Sequence, residues 1–106
     1  QTLDPAIYQI GANYILLAEV LKSDKKYKEA IEAYLNSQEY RSDISIYINI
    51  ANIFDEKLNN PEEAIRYYQL FLDKVKNEKN RFSPNYIEAV QNRLEALKNP
   101  TQKTIN

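Results

Sequence analysis

The chain reads as all-α, and three observations carry that reading. It has one glycine and four prolines in 106 residues, so few breakers that helices joined by short turns fit better than a β-fold. Apolar residues recur at steps of three and four along most of its length, the period of a helix face. Pro5, Pro61 and Pro84 each follow a residue able to cap a helix, namely Asp4, Asn60 and Ser83. Proline suits the first helical turn, where its missing N–H has no intrahelical partner to lose.

These signals predict about five helices. The first runs over about 5–22, with Ile7, Ile10, Tyr14, Leu17 and Leu21 at helical steps. Gly11 in its middle costs up to about 1 kcal/mol against alanine, which a close helix approach would explain. A polar turn over 23–26 leads into a second helix over about 27–39, with Ala30, Ile31, Tyr34 and Leu35 facing inward. Ser42 and Asp43 can cap a third helix over about 43–58, whose Tyr47, Ile50, Ala51 and Phe54 share one face. The fourth covers about 61–79, with Ala64, Ile65, Tyr68 and Leu72 on one face. Glu62 and Glu63 in its first turn suit the positive end of the helix dipole. The charged and amide-rich run over 74–81 is expected to project into solvent. The fifth helix covers about 84–98, with Tyr86, Ile87, Val90, Leu94 and Leu97 as its apolar stripe. Asn99–Pro100 ends it, and the remainder of the chain reads as a flexible tail.

The third and fourth helices resemble a tetratricopeptide repeat. That family pairs a first helix of the form aromatic-x-x-Leu-small-x-x-aromatic with a second of the form Ala-x-x-x-aromatic, repeated about every 34 residues. Tyr47, Ile50, Ala51 and Phe54 fit the first form, and Ala64 and Tyr68 the second. Upstream, Tyr14, Leu17, Ala18 and Leu21 match the first form, and Ala30 and Tyr34 the second. The two matches are in phase: Ala18 precedes Ala51 by 33 residues and Ala30 precedes Ala64 by 34. The later turn is read as one residue longer than usual. Two further departures stand out. Ser42 and Lys76 lie near the place of the family's repeat-ending proline, and Phe71 takes a position that usually holds a small residue. The resemblance implies an all-α superhelix of hairpins forming one domain over 1–98. It comprises repeats at about 11–43 and 44–79 and a capping helix at 84–98, followed by the tail at 99–106. The outer face of the fifth helix, with Glu88, Arg93 and Glu95, suits a cap that meets water.

Composition narrows the function. The formal charge is −1, whereas a nucleic-acid surface needs a basic excess to neutralise phosphates. No apolar run approaches a membrane span. Cysteine and histidine are both absent, which removes two common nucleophile and base types. A single glycine cannot build a phosphate-binding loop. Asp55–Glu56 and Glu62–Glu63 are sequence neighbours on helices, about 100° apart, and do not face one another. No loop has calcium-ligand spacing. These points predict a non-catalytic chain with no cofactor and no metal. Of the nine tyrosines, Tyr14, Tyr34, Tyr47 and Tyr68 sit at packing positions and read as core rather than as a stacking surface. Tyr8, Tyr27, Tyr40 and Tyr67 are less constrained. The chain begins at Gln1, which predicts a processed protein or a piece of a longer one. Abundant Asn, Ile, Lys and Tyr suggest AT-rich codons and a bacterial source.

The resemblance implies a protein or peptide partner held on a concave surface lined by the first helix of each repeat. Its lining positions here are Ile15 and Glu19, then Ile48, Asn49, Asn52 and Asp55, then Ile87, Glu88 and Gln91. The asparagines offer donors and acceptors to a peptide backbone. Glu19, Asp55 and Glu88 would favour a basic or amine-bearing ligand. A clamp for acidic chaperone tails is not expected. Its positions would be Ile15, Glu19, Asn49, Pro84 and Glu88, and only Asn49 suits a carboxylate. The alternative is a structural or self-associating element. There, Ile7 and Ile10 at one end, or Leu94 and Leu97 at the other, pair with another copy to give a homo-oligomer.

Overall fold

A computed structural model of the protein describes residues 4–100. Helix α1 is Pro5–Ser23, α2 Tyr27–Ser37, α3 Ser45–Asn52, α4 Pro61–Asn77 and α5 Pro84–Lys98. A π-helical segment, Ile53–Lys57, continues α3. No strand occurs among the described residues.

Three of the helix starts are set by the expected caps. Asp4 accepts from the Ala6 N–H at 2.9 Å, Asn60 from Glu63 at 3.2 Å and Ser83 from Tyr86 at 3.1 Å. Each satisfies an N–H left over in the first turn. Asp43 accepts from both the N–H and hydroxyl of Ser45, so α3 begins two residues later than the sequence suggested. Helix α2 stops at Ser37 rather than Glu39, where the Ser37 hydroxyl donates back to the Tyr34 carbonyl at 2.6 Å. Helix α4 stops at Asn77 rather than Lys79, and the residues beyond it, 78–81, are exposed.

The chain forms two compact units, 1–46 and 47–106. In the first, α1 packs on α2. Ala18, Ala30, Ala33 and Tyr34 are buried. Gly11 is also buried, and an added Cβ there would lie 2.6 Å from the Arg41 Cβ. That atom is fixed to the backbone, so the glycine is present because the chain after α2 passes too close for a side chain. Two packing expectations fail here. Leu17 and Leu35 are exposed, because Ala18 and Tyr34 beside them take the facing positions.

In the second unit α4 packs on the π segment and on α5. Ile50, Ala51, Ile53, Ala64, Tyr68, Phe71, Val90 and Leu94 are buried. Tyr67, read from sequence as less constrained, is buried too: its ring stacks on Phe54 at 5.8 Å, and the Arg66 guanidinium lies 4.5 Å from its centre. Phe71, large where a small residue was expected, meets Phe82 and Tyr86 edge-on at 4.9 and 6.1 Å. Leu94 is buried rather than available at an exposed end.

The extra residue of the second hairpin lies in the helix, not in the turn. Ser23 and Tyr27 bracket a three-residue turn, and so do Lys57 and Pro61. Lys25 and Asn59 occupy equivalent left-handed positions, with φ of 64° and 49°. The surplus therefore falls between Ala51 and Asn59, where Leu58 N–H bonds the Ile53 carbonyl five residues back at 3.0 Å. A π turn absorbs one residue without breaking a helix.

Candidate functional site

In the second unit, α3, the π segment and α5 border an open surface cavity of about 260 Å3. Ile48, Asn52 and Asp55 line it from one side and Tyr86, Val90 and Arg93 from the other. Three of the groove residues read from sequence thus come together. Ile48 is only 5 % exposed, so it forms a wall and not a projecting contact. Asn49 is half-buried beside it.

One polar network organises the floor. The Arg93 Nε and Nη2 donate to Asp55 Oδ2 and Oδ1, both at 2.7 Å. The Tyr68 hydroxyl lies 2.8 Å from Asp55 Oδ2 and 3.0 Å from Asn52 Oδ1, sharing its proton between them. The Asp55 side chain is 6 % exposed and that of Arg93 40 %. A two-pronged guanidinium–carboxylate contact in partial burial is among the stronger ion pairs. It also uses the charge of Asp55, so this carboxylate does not present itself to an amine as the sequence reading proposed. Burial, then the bond to Asp55, drives the Tyr68 hydroxyl well above its ordinary pKa. The bond to Asp55 raises that of the Arg93 guanidinium. With its Oδ1 engaged, Asn52 retains its amide N–H groups as donors to a ligand.

Ile87 and Gln91 lie elsewhere. They line a separate cleft of about 570 Å3 with residues of α4. Glu88 is exposed and in neither cavity. The sequence phasing of α5 was displaced by one residue: Tyr86, Ala89, Val90 and Arg93 face the π segment and α3 side. Those four stand at i, i+3, i+4 and i+7, so the stripe was present in the sequence. Taking Ile87 as the leading position hid it.

Ile15 and Glu19 belong to the first unit and are half-exposed. There the Tyr34 hydroxyl donates to Glu19, and Lys22 Nζ lies 3.4 Å from the other Glu19 oxygen. Burial, then Glu19, pushes the Tyr34 pKa well upward. Among the described residues there is no cluster of acids able to hold a metal, and no helix is long and apolar enough to cross a membrane.

The paired helices, the alanine and tyrosine contacts inside each pair and the 33–34-residue offset define a helical-hairpin repeat protein. Models of the tetratricopeptide repeat match residues 12–43 and 46–82. The chain belongs to the tetratricopeptide repeat family, whose repeats mediate protein–protein interaction. Neither the search of curated proteins nor that of solved structures finds a match.

Proposed function

We propose that the protein is a non-catalytic interaction module that binds a peptide or protein segment at the cavity of its second repeat. The observation that carries this reading is the coincidence of Ile48, Asn52 and Asp55, expected as groove residues, around one cavity in a chain of an interaction family. An apolar side chain of the ligand enters between Ile48, Val90 and Tyr86. A ligand carbonyl accepts from the Asn52 amide. Glu56, exposed at the rim, adds selectivity against acidic flanks. Asn49 extends the contact surface beside the cavity, and Ile87 and Gln91 stand outside it. A preformed cavity spares the module most of the ordering entropy of binding.

The test is selection from a displayed library of random peptides on the immobilised protein. The wild type is expected to enrich a motif with one apolar anchor. Tyr86→Asp with Asn52→Ala, checked by circular dichroism for retained helicity, is expected to lose it. A motif retained by the folded double variant, or no enrichment by the wild type, sinks the reading.

A second reading, self-association, is favoured by one observation. Ile7, Ile10, Leu16, Leu17 and Val20 of α1 are all exposed, Leu16 to 63 %. Apolar surface of this extent more often marks a contact than bare solvent.

A further inference from the structure

Resting on the reading of the second-repeat cavity as a peptide site, we propose that the ligand's apolar anchor is an aromatic side chain. It stacks on the open face of Tyr86, and Phe82 is the positioning residue that holds the Tyr86 ring.

Tyr86 is fixed at its backbone and at its ring. Its N–H donates to the Ser83 hydroxyl at 3.1 Å. Its ring stacks on Phe82 at 5.7 Å with the planes 19° apart, and meets Phe71 edge-on at 6.1 Å. Phe71 is buried. Phe82 is half-buried and is not part of the cavity lining. Asn80 anchors it in turn. The Asn80 side chain accepts from the Phe82 N–H at 3.1 Å and donates to the Val75 and Glu78 carbonyls, both at 2.9 Å.

Both supporting rings lie on one side of Tyr86. Phe71 and Phe82 are 4.9 Å apart. Rings in contact with opposite faces of a third would stand about 7 Å or more apart. Among the described residues no ring or cation covers the other face. Tyr86 is nonetheless 40 % exposed and lines the cavity. A tyrosine held rigid with one face open is a ready stacking partner, and offset stacking adds to what area burial alone supplies. The space suffices. The cavity, about 260 Å3, exceeds the roughly 150 Å3 that accepts benzene inside an apolar protein core. Ile48 and Val90 give it aliphatic walls.

Charge selects the residue beside the anchor. Asp55, Glu56 and Arg93 are the charged residues of the lining. Arg93 is committed to Asp55, and Glu56 makes no ion pair among the described residues. A lysine or arginine next to the anchor complements Glu56, and a glutamate there opposes it.

The displayed peptide library, scored by anchor type, is the first probe. Aromatic anchors with a basic neighbour are expected to be enriched. The enriched sequence is then synthesised with phenylalanine or leucine at the anchor, and with lysine or glutamate beside it. Calorimetric titration of the wild type is expected to show leucine binding about three- to tenfold more weakly than phenylalanine, and glutamate more weakly than lysine. In Phe82→Leu the ratio between the two anchors is expected to fall toward one, with the leucine peptide bound as before. Circular dichroism checks that the variant is folded. If it is not, Asn80→Ala, an exposed position in the same loop, takes its place with the same expected ratio. Equal weakening of both peptides overturns the positioning role of Phe82. Leucine bound as tightly as phenylalanine, or glutamate preferred to lysine, overturns this inference while the cavity remains a peptide site. No enrichment of any anchor overturns both.

Discussion

The two repeats solve the same problem with different partners. In each, the buried tyrosine of the second helix bonds a polar residue of the first: Tyr34 with Glu19, and Tyr68 with Asn52 and Asp55. Glu19 and Asn52 are equivalent by the 33-residue offset, and so are Lys22 and Asp55. The first repeat places its counter-ion on the same helix, one turn on, where both side chains are more than a third exposed. The second places its carboxylate at the position of that lysine and takes its cation from α5. A local, hydrated pair is worth little, typically under about 1 kcal/mol. A pair that crosses to a third helix in partial burial fixes that helix and shapes the cavity beside it.

The largest expected effect breaks this difference directly. Arg93→Ala removes the guanidinium from a buried carboxylate and should cost about 3 kcal/mol, read by urea denaturation. Asp55→Ala should cost less, since Arg93 is open enough to rehydrate. Lys22→Ala should change stability by under about 0.5 kcal/mol. Equal losses at Arg93 and Lys22 would erase the contrast.

Gly11→Ala sharpens it from the other side, because only the first repeat has such an approach. Overpacking against Arg41 costs about 1–3 kcal/mol and the gain in helix propensity returns up to about 1 kcal/mol. A net loss of melting temperature is expected, and a gain would mean that the chain after α2 yields easily.

Alkaline pH should affect both repeats. Tyr34 and Tyr68 have raised folded-state pKa values, chiefly through burial. Their contribution to stability is therefore complete below the ordinary tyrosine value of about 10 and is lost as pH rises above it. Helicity followed upward in pH should fall in that window. The fall should be smaller in the variant carrying both Tyr34→Phe and Tyr68→Phe.

The smallest effect concerns the turns. Lys25→Gly and Asn59→Gly relieve left-handed backbone. The lysine change should gain up to about 1 kcal/mol and the asparagine change less, since asparagine tolerates that region better.

Much of this architecture was legible in the sequence because helices announce themselves by period and caps. Asp4, Asn60 and Ser83 were read as caps and act as caps. The π turn was not legible in position. An offset of 34 against 33 reveals a surplus residue but not whether the turn or the helix holds it. Ile48, Asn52 and Asp55 were found from repeat phase alone. Arg93 was placed on the outer, water-facing side, because a charge on a terminal helix reads as solvated until a buried carboxylate 38 residues away is known to meet it. That long-range pairing also reversed the expected electrostatics of the site, by occupying Asp55.

The most direct test is a double-mutant cycle on Asp55 and Arg93, run beside one on Glu19 and Lys22. The predicted coupling is about 2 kcal/mol for the first pair and under about 0.5 kcal/mol for the second. Couplings that are both near zero would contradict the claim that the second repeat is closed by its third helix through this pair.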